Sequence, residues 1–162
     1  MSAINQFALS KLIGEKLHQR KWCVATAESC TGGQVAAAIT EVAGSSQWFE
    51  YGIVSYANSA KEKLLHVNPQ AILAHGAVSD SVVREMVSGI LQLSGANIVV
   101  AVSGIAGPGG GTPEKPVGTV CFGWGLATGE RDFKTMLFSG DRKQIQQQAT
   151  IEALKGLLPY LN

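Results

Sequence analysis

The chain has 162 residues, 46% of them hydrophobic and 15% charged, and its formal net charge is +1. This composition excludes a disordered or highly charged chain. The near-neutral charge implies no broad basic surface, so nucleic acid is not expected as the main partner. The length suits one compact domain, which we expect to cover residues 1–162.

The first half of the chain alternates predicted helices and strands. Apolar residues at helical spacing, with polar residues between them, indicate an amphipathic first helix. A short apolar run with β-branched residues then predicts a buried strand. The predicted elements are a helix over residues 4–19, a strand over 22–27, a helix over 34–40, a strand over 49–56, and a helix beginning near Ser59 with Asn58 as its cap.

The second half begins with helices and ends with a hairpin and a last helix. Asn68 and Pro69 are typical of a helix start, and Gly76 suits its end. The remaining predicted elements are a helix over residues 79–93, a buried strand over 98–102, two strands over 118–124 and 132–138 joined through Thr128-Gly129, and a helix beginning at Asp141. This order predicts a three-layer α/β/α sandwich with a mixed, mostly parallel sheet.

Cysteine and histidine residues give no sign of a metal site. Cys23, Cys30 and Cys121 are an odd number without metal-ligand spacing, and the three histidines form no pair on a helix face. We expect reduced thiols in a cytoplasmic protein, because the N-terminus lacks the features of a signal peptide. No apolar run approaches the roughly 20 residues that span a bilayer, so no membrane partner is expected.

The segment ESCTGG lies between a predicted strand and a predicted helix. Unpaired N–H groups at a helix start attract negative charge, so a serine held there could attack a carbonyl beside an oxyanion site. Ser29 is therefore a candidate nucleophile, although Ala27 and Thr31 replace the glycines of a G-x-S-x-G elbow. By spacing alone, a helix cap at Ser29 or Thr31 is the more common structure. Cys30 is a rival nucleophile without an evident histidine partner.

The segment YANSAKEK contains two lysines, Lys61 and Lys63, which cannot share one helix face. A lysine can act as the base for a serine if burial or nearby cations lower its pKa. The S-x-x-K spacing is absent, so a pair between Ser29 and Lys61 would have to form in space. Two solvated surface lysines are the more common outcome for such a segment.

The loop that follows the strand at residue 102 is rich in glycine and proline. It satisfies neither G-x-x-x-x-G-K-[ST] nor G-x-G-x-x-G. Long, biased loops in compact domains are often functional, and glycine lets the backbone approach a ligand closely. Arg142, at the start of the last helix, is a candidate phosphate ligand, or equally a surface charge beside Asp141.

Several separated segments agree in order and spacing with one known family. They are AESCTGG, GSSQWFEYGIVSYANSAKEKLL, HGAVS and SGIAGPGGGTPEKPVGTV, and together they resemble the CinA C-terminal domain family over nearly the whole chain. The resemblance implies an α/β/α fold and hydrolysis of the carboxamide of nicotinamide mononucleotide, without metal or organic cofactor. It places the family nucleophile at Ser29, the lysine at Lys61 and the supporting tyrosine at Tyr56.

The same resemblance implies the residues that bind the substrate. Backbone groups near residues 29–33 or 103–104 would form the oxyanion site, and a basic residue would hold the phosphate. The expected substrate-binding residues are Thr31, Gly32, Gly33, Asn58, Ser103, Gly104 and Arg142. Ser103 stands where many family members have threonine. Lys63 is not expected to take part.

Three alternatives stay open at this point. The same site could act on another small amide, the chain could be a nucleotide-binding module without catalysis, or it could be a structural or regulatory protein. The amidase is favoured because Ser29, Tyr56 and Lys61 are all present. A homodimer or a higher homo-oligomer is also expected, since small α/β domains often pair.

Overall fold

The computed structural model describes residues 5–162, which fold around a five-stranded sheet. Two short 3₁₀ turns, Ser45–Gln47 and Leu158–Tyr160, accompany the main elements. In chain order the helices and strands are α1 (Gln6–Arg20), β1 (Val24–Glu28), α2 (Gln34–Thr40), β2 (Phe49–Val54), α3 (Asn58–Leu65), α4 (Pro69–His75), α5 (Asp80–Ser94), β3 (Ile98–Gly104), β4 (Thr119–Leu126), β5 (Arg131–Leu137) and α6 (Arg142–Lys155).

The sheet has the strand order β2-β1-β3-β4-β5. The first three strands in this order are parallel, whereas β4 and β5 are antiparallel to their neighbours. Glu28 at the end of β1 is the register partner of both Val54 on β2 and Val102 on β3. The carboxyl ends of three parallel strands therefore meet at one edge of the sheet, where α/β proteins usually bind ligands.

Alternating residues of the central strand separate two apolar layers. On β3, Val100 and Val102 belong to the core formed with α1, α2 and α6, while Val99 and Ala101 belong to the core formed with α3 and α5. Helices thus cover both faces of the sheet, as the period-2 direction of strand side chains requires. The predicted three-layer sandwich with a mixed sheet is confirmed.

The starts of three helices test the helix starts and capping residues that were predicted from the sequence. The Asn68 side chain accepts from the N–H of Gln70, and Asp141 forms a capping box with Gln144. The prediction that Asn58 caps the next helix is wrong, because α3 begins at Asn58 itself and follows Ala57, which has no capping side chain. The part of the predicted first helix at Ile4 lies outside the described residues.

Every strand ends at a different residue from the one predicted, one residue away for β1 and β5 and two residues away for β2, β3 and β4. β2 stops at Val54 instead of residue 56, because the backbone N–H of Ser55 donates to Glu28 O and the chain then turns into α3. β3 continues to Gly104, two residues beyond the prediction, because β4 pairs with it to its end.

Within residues 5–162, no helix combines the length and apolar character needed to cross a bilayer.

Candidate active site

A cavity of about 270 Å³ lies at the carboxyl ends of β1 and β3. The start of α3, the loop after β3 and the first residue of α6 complete its walls. Seven of the residues predicted for the site line it, namely Ser29, Tyr56, Asn58, Lys61, Ser103, Gly104 and Arg142. Residues separated by more than a hundred positions therefore meet in one place.

Ser29 and Lys61 are in direct contact at the floor of the cavity. Lys61 Nζ lies 2.9 Å from Ser29 Oγ, although the two residues are 32 positions apart. The Lys61 side chain is only 1% exposed, whereas Lys63 lies on the exposed side of α3. The helix thus separates the two lysines, and only Lys61 faces the serine.

Three oxygen atoms surround the Lys61 amine. Besides Ser29 Oγ, Nζ lies 2.8 Å from Ser55 O and 3.2 Å from Tyr56 O. Carbonyl oxygens only accept hydrogen bonds, so a neutral amine can donate its two N–H groups to them. Its lone pair is then directed at the remaining neighbour, the Ser29 hydroxyl. This geometry suits proton transfer from the serine to the lysine.

Burial also sets the protonation of the groups beside the serine. Desolvation lowers the pKa of Lys61 below its ordinary value, which increases the fraction of neutral amine at a given pH. Desolvation raises the pKa of the Cys30 thiol to about 12, so this rival nucleophile stays protonated near neutral pH. Both shifts favour Ser29 over Cys30 as the attacking group.

Glu28 holds the turn that carries Ser29, a role that sequence reasoning missed. Helix α2 begins after Gly33, which has no capping side chain. The buried Glu28 carboxylate caps the helix instead. It accepts from Thr31 Oγ1 at 2.6 Å and from the N–H groups of Val35 and Ala36 at 2.8 and 3.0 Å. An acidic residue between a strand and a helix without an evident cap was the available signal.

Three residues expected to bind substrate do not line the cavity. Thr31 is fully buried and its hydroxyl donates to Glu28. The N–H of Gly32 donates to Ser29 O at 3.0 Å, and Gly32 and Gly33 have positive φ angles of 58° and 103°. Their position makes them part of the turn's framework, in which glycine is favoured because a Cβ is strained at positive φ.

The backbone N–H of Cys30 is available to a ligand. Across residues 5–162 it donates to no backbone oxygen, and Cys30 lines the cavity directly after Ser29. The preceding N–H, that of Ser29, is occupied because it donates to Val102 O at 2.9 Å. A free N–H beside a nucleophile can stabilise a developing oxyanion.

Ser103 lies next to Ser29 across two parallel strands. The two serines directly follow Glu28 and Val102, which are register partners. Ser103 Oγ donates to Ala77 O at 2.8 Å in the connection between α4 and α5. Because its proton is engaged there, the Ser103 oxygen can only accept hydrogen bonds from a group in the cavity.

Arg142 connects two sides of the cavity entrance. Its guanidinium donates to Gly107 O at 2.7 Å and to Tyr56 Oη at 2.9 Å. Tyr56 is 57% exposed, so its hydroxyl does not contact the buried Ser29–Lys61 pair. The contact of Tyr56 with the pair is through its backbone oxygen, which lies near both Lys61 Nζ and Ser29 Oγ.

The fold is an α/β/α domain, and a buried serine–lysine pair lies at the carboxyl ends of its parallel strands. Comparison with known proteins assigns the family: the CinA C-terminal domain family matches residues 6–161, and this chain belongs to it. Among residues 5–162, no group of three His, Cys, Asp or Glu side chains is arranged to hold a metal ion.

Individual relatives agree over nearly full length. Nicotinamide-nucleotide amidohydrolase PncC from Escherichia coli (strain K12) is 50% identical over 149 residues, which are 92% of this chain and 90% of that protein. The protein of the same name from Pseudomonas putida is 51% identical, with 93% of each chain covered. The crystal structure of the competence/damage inducible protein CihA from Agrobacterium tumefaciens has a TM-score of 0.96 at 38% identity and covers 100% of both chains.

Proposed function

We propose that this protein hydrolyses the carboxamide of nicotinamide mononucleotide to nicotinate mononucleotide and ammonia, with Ser29 as nucleophile and Lys61 as base. The observation that carries the proposal is the 2.9 Å contact of Lys61 Nζ with Ser29 Oγ in a buried site. The names of relatives at 50% and 51% identity support the amide and the nucleotide. We further propose that the reaction serves pyridine nucleotide salvage.

In the first half of the reaction, neutral Lys61 accepts the Ser29 proton while the serine oxygen attacks the amide carbon. The tetrahedral intermediate collapses when the protonated Lys61 gives this proton to the amide nitrogen, and ammonia leaves. An ester between Ser29 and the nicotinate carbonyl remains. In the second half, Lys61 takes a proton from water, hydroxide attacks the ester, and the proton on Lys61 returns to Ser29 as the ester bond breaks. The product leaves as the carboxylate after its acid proton passes to solvent.

The connection between β1 and α2, residues 29–33, is called the nucleophile turn here. One of its backbone N–H groups is suited to the negative charge that develops on the amide oxygen. We assign the oxyanion donor to the Cys30 N–H, which donates to no backbone oxygen among residues 5–162. A preorganised N–H in a site with little water stabilises the transition state more than the ground state. The NH₂ group of the carboxamide then needs hydrogen-bond acceptors elsewhere in the cavity.

Ser103 and Asn58 are the polar groups available to that NH₂ group and to the rest of the substrate. The Ser103 oxygen can accept an N–H of the amide, because its own proton is donated to Ala77 O. Asn58 lines the cavity, and its side chain has no protein partner within the described part of the chain. Arg142 uses two of its five N–H donors on Gly107 and Tyr56, which leaves donors for a phosphate.

The cellular setting and assembly are part of the same proposal. The free thiols of Cys23, Cys30 and Cys121 suit a reducing compartment, so we propose that the protein acts in the cytoplasm. We also propose that the chain works as a homodimer of single-domain subunits, each formed by residues 1–162.

The first test is ammonia release from nicotinamide mononucleotide by the wild type and by Ser29→Ala, with a metal chelator present. We expect release by the wild type and none above background by the variant, because the attacking oxygen is removed. A thermal unfolding midpoint close to that of the wild type would show that the variant is folded. Release by Ser29→Ala at the wild-type rate would contradict the serine mechanism.

The same experiment separates the alternatives. Binding of the nucleotide without ammonia release by either protein would favour a nucleotide-binding module. Release of ammonia from a different small amide, but not from nicotinamide mononucleotide, would keep the serine–lysine chemistry and change the substrate.

A further inference from the structure

Helix α6 contacts the nucleophile turn through a side chain that the proposed reaction does not use. Gln146 Nε2 donates to the backbone oxygen of Cys30 at 2.9 Å, although the two residues are 116 positions apart. Gln146 is half-buried and lies one helical turn after Arg142, so both side chains project from the same face of α6. Cys30 is the residue directly after Ser29, and its N–H is the proposed oxyanion donor.

Two hydrogen bonds fix the peptide planes on either side of Cys30. The plane before it is set by the N–H of Gly32, which donates to Ser29 O at 3.0 Å. The plane after it is set by Gln146, which donates to Cys30 O. Because each peptide unit is rigid and planar, these two bonds together define the φ and ψ angles of Cys30. The Cys30 N–H and the Ser29 Cα both lie in the first of these planes, so the two bonds together hold the part of the turn that carries the Ser29 side chain.

We propose that Gln146 is a positioning residue for this site, which holds the turn at Ser29 and Cys30 in the geometry required for attack and oxyanion binding. It contacts neither the substrate nor the reacting atoms. The inference rests on the proposed function in one respect, the role of Ser29 as nucleophile. Of the two bonds that fix Cys30, only the one from Gln146 is made by a side chain, so a point substitution can remove it.

The sequence of α6 provides a matched control. Residues 144, 146, 147 and 148 are all glutamine. Gln144 completes the capping box at the helix start, and Gln148 donates to Ser139 O. Gln147 is exposed and makes no side-chain hydrogen bond within residues 5–162, yet it lies in the same helix one position after Gln146. A substitution at Gln147 reports any general effect on the helix.

The test compares wild type, Gln146→Leu, Gln146→Glu and Gln147→Leu. Leucine and glutamate keep helix propensity and approximate length, but neither can donate to Cys30 O. Two rates are measured: ammonia release from nicotinamide mononucleotide, and covalent labelling of Ser29 by phenylmethanesulfonyl fluoride, in which the serine oxygen replaces fluoride on sulfur. The second rate reports the geometry of the turn without depending on the proposed substrate. Thermal midpoints are recorded for all four proteins.

We expect both Gln146 variants to lose about tenfold in kcat and in labelling rate, the effect of roughly one hydrogen bond. KM should change less than about twofold, because Gln146 does not touch the substrate. Gln147→Leu should match the wild type. Wild-type rates in the Gln146 variants would overturn the inference, as would equal losses in Gln147→Leu or a loss confined to KM.

The two rates also give a distinct result if nicotinamide mononucleotide is not the substrate. A wild type that is labelled at Ser29 but releases no ammonia contradicts the nicotinamide substrate, and the labelling rates still decide the role of Gln146. A wild type that is neither labelled nor active overturns both proposals.

Discussion

Lys61 lies almost fully out of water, and its three nearest polar partners are all oxygen atoms. No carboxylate is among them, so no anion offsets the cost of burying the ammonium form. Desolvation consequently lowers the pKa of Lys61. A surface lysine such as Lys63 stays in contact with water and has no such cost. The difference between these two residues is therefore a difference of burial, since their side chains are identical.

The pH dependence of the reaction follows from this lowered pKa. In the proposed mechanism the active form of Lys61 is the neutral amine, so kcat/KM should fall about tenfold per pH unit below the Lys61 pKa and level off above it. Because the pKa is lowered, this rise should be centred below the ordinary lysine value of 10.5. The measurement is kcat/KM across the stable pH range, by ammonia release.

Two variants provide the comparison for the pH profile. Lys61→Met keeps the length of the side chain without an amine, and should lose about 100-fold or more in kcat together with the pH-dependent rise. Lys63→Met should retain both the rate within about twofold and the profile. If Lys63→Met removes the rise and Lys61→Met keeps it, the base is wrongly assigned.

At the scale of elements, the connection from β1 to α2 carries Ser29, the proposed nucleophile. The two elements are joined by five residues, and Glu28 at the end of the strand accepts from the first turn of the helix. Its carboxylate replaces the capping side chain that Gly33 cannot provide. The strand end and the helix start are thus linked by the residue directly before Ser29.

Glu28→Gln should destabilise this connection. In the wild type, the second carboxylate oxygen of Glu28 accepts from the N–H of Ala36. The glutamine amide has only one oxygen, so its NH₂ group would face this N–H instead. Leaving a buried donor without an acceptor costs about 1–3 kcal/mol. In a chain of this length we expect the thermal midpoint to fall by about 2–4 °C for each kcal/mol. Thermal unfolding followed by circular dichroism measures the change.

The control for this prediction lies at the other end of the same helix. Glu41 is exposed and its side chain makes no hydrogen bond among residues 5–162, so Glu41→Gln should leave the midpoint nearly unchanged. Equal midpoints for Glu28→Gln and the wild type would contradict the capping role of Glu28.

For the whole molecule, the sheet has two edges, β2 and β5, that are unpaired within the described chain. β2 exposes Tyr51 and Val54, which are 41% and 46% accessible. We expect light scattering on a size-exclusion column to give twice the chain mass of 17.0 kDa, consistent with the predicted homodimer. A mass of 17.0 kDa across micromolar concentrations would contradict that prediction.

The class of fold could be derived from the sequence because its signals are local. An unbroken apolar run such as residues 98–102 indicates a strand buried on both faces, and Asn68 with Pro69 indicates a helix start. Both features depend on the chemistry of neighbouring residues, and the structure contains both. The single-domain organisation over residues 1–162 stays a prediction.

Motif resemblance extended this local information to the site. It identified Ser29, Lys61 and Ser103 as site residues, and all three line one cavity. The same motif also contains Thr31, Gly32 and Gly33, whose side chains or backbones support the turn and do not line the cavity. A motif records which residues occur together, and it does not separate those that face a ligand from those that hold the backbone.

Only the tertiary structure decided which polar groups meet. Spacing favoured two surface lysines and a simple helix cap, yet Lys61 is buried against Ser29 across 32 residues, and Gln146 reaches Cys30 across 116. These contacts depend on how β1, α3 and α6 pack on the sheet, which no local pattern encodes. The sequence by itself therefore determined the elements and the residues available for chemistry. Packing determined their burial and their contacts: burial lowers the pKa of Lys61, and hydrogen bonds between distant residues hold the nucleophile turn.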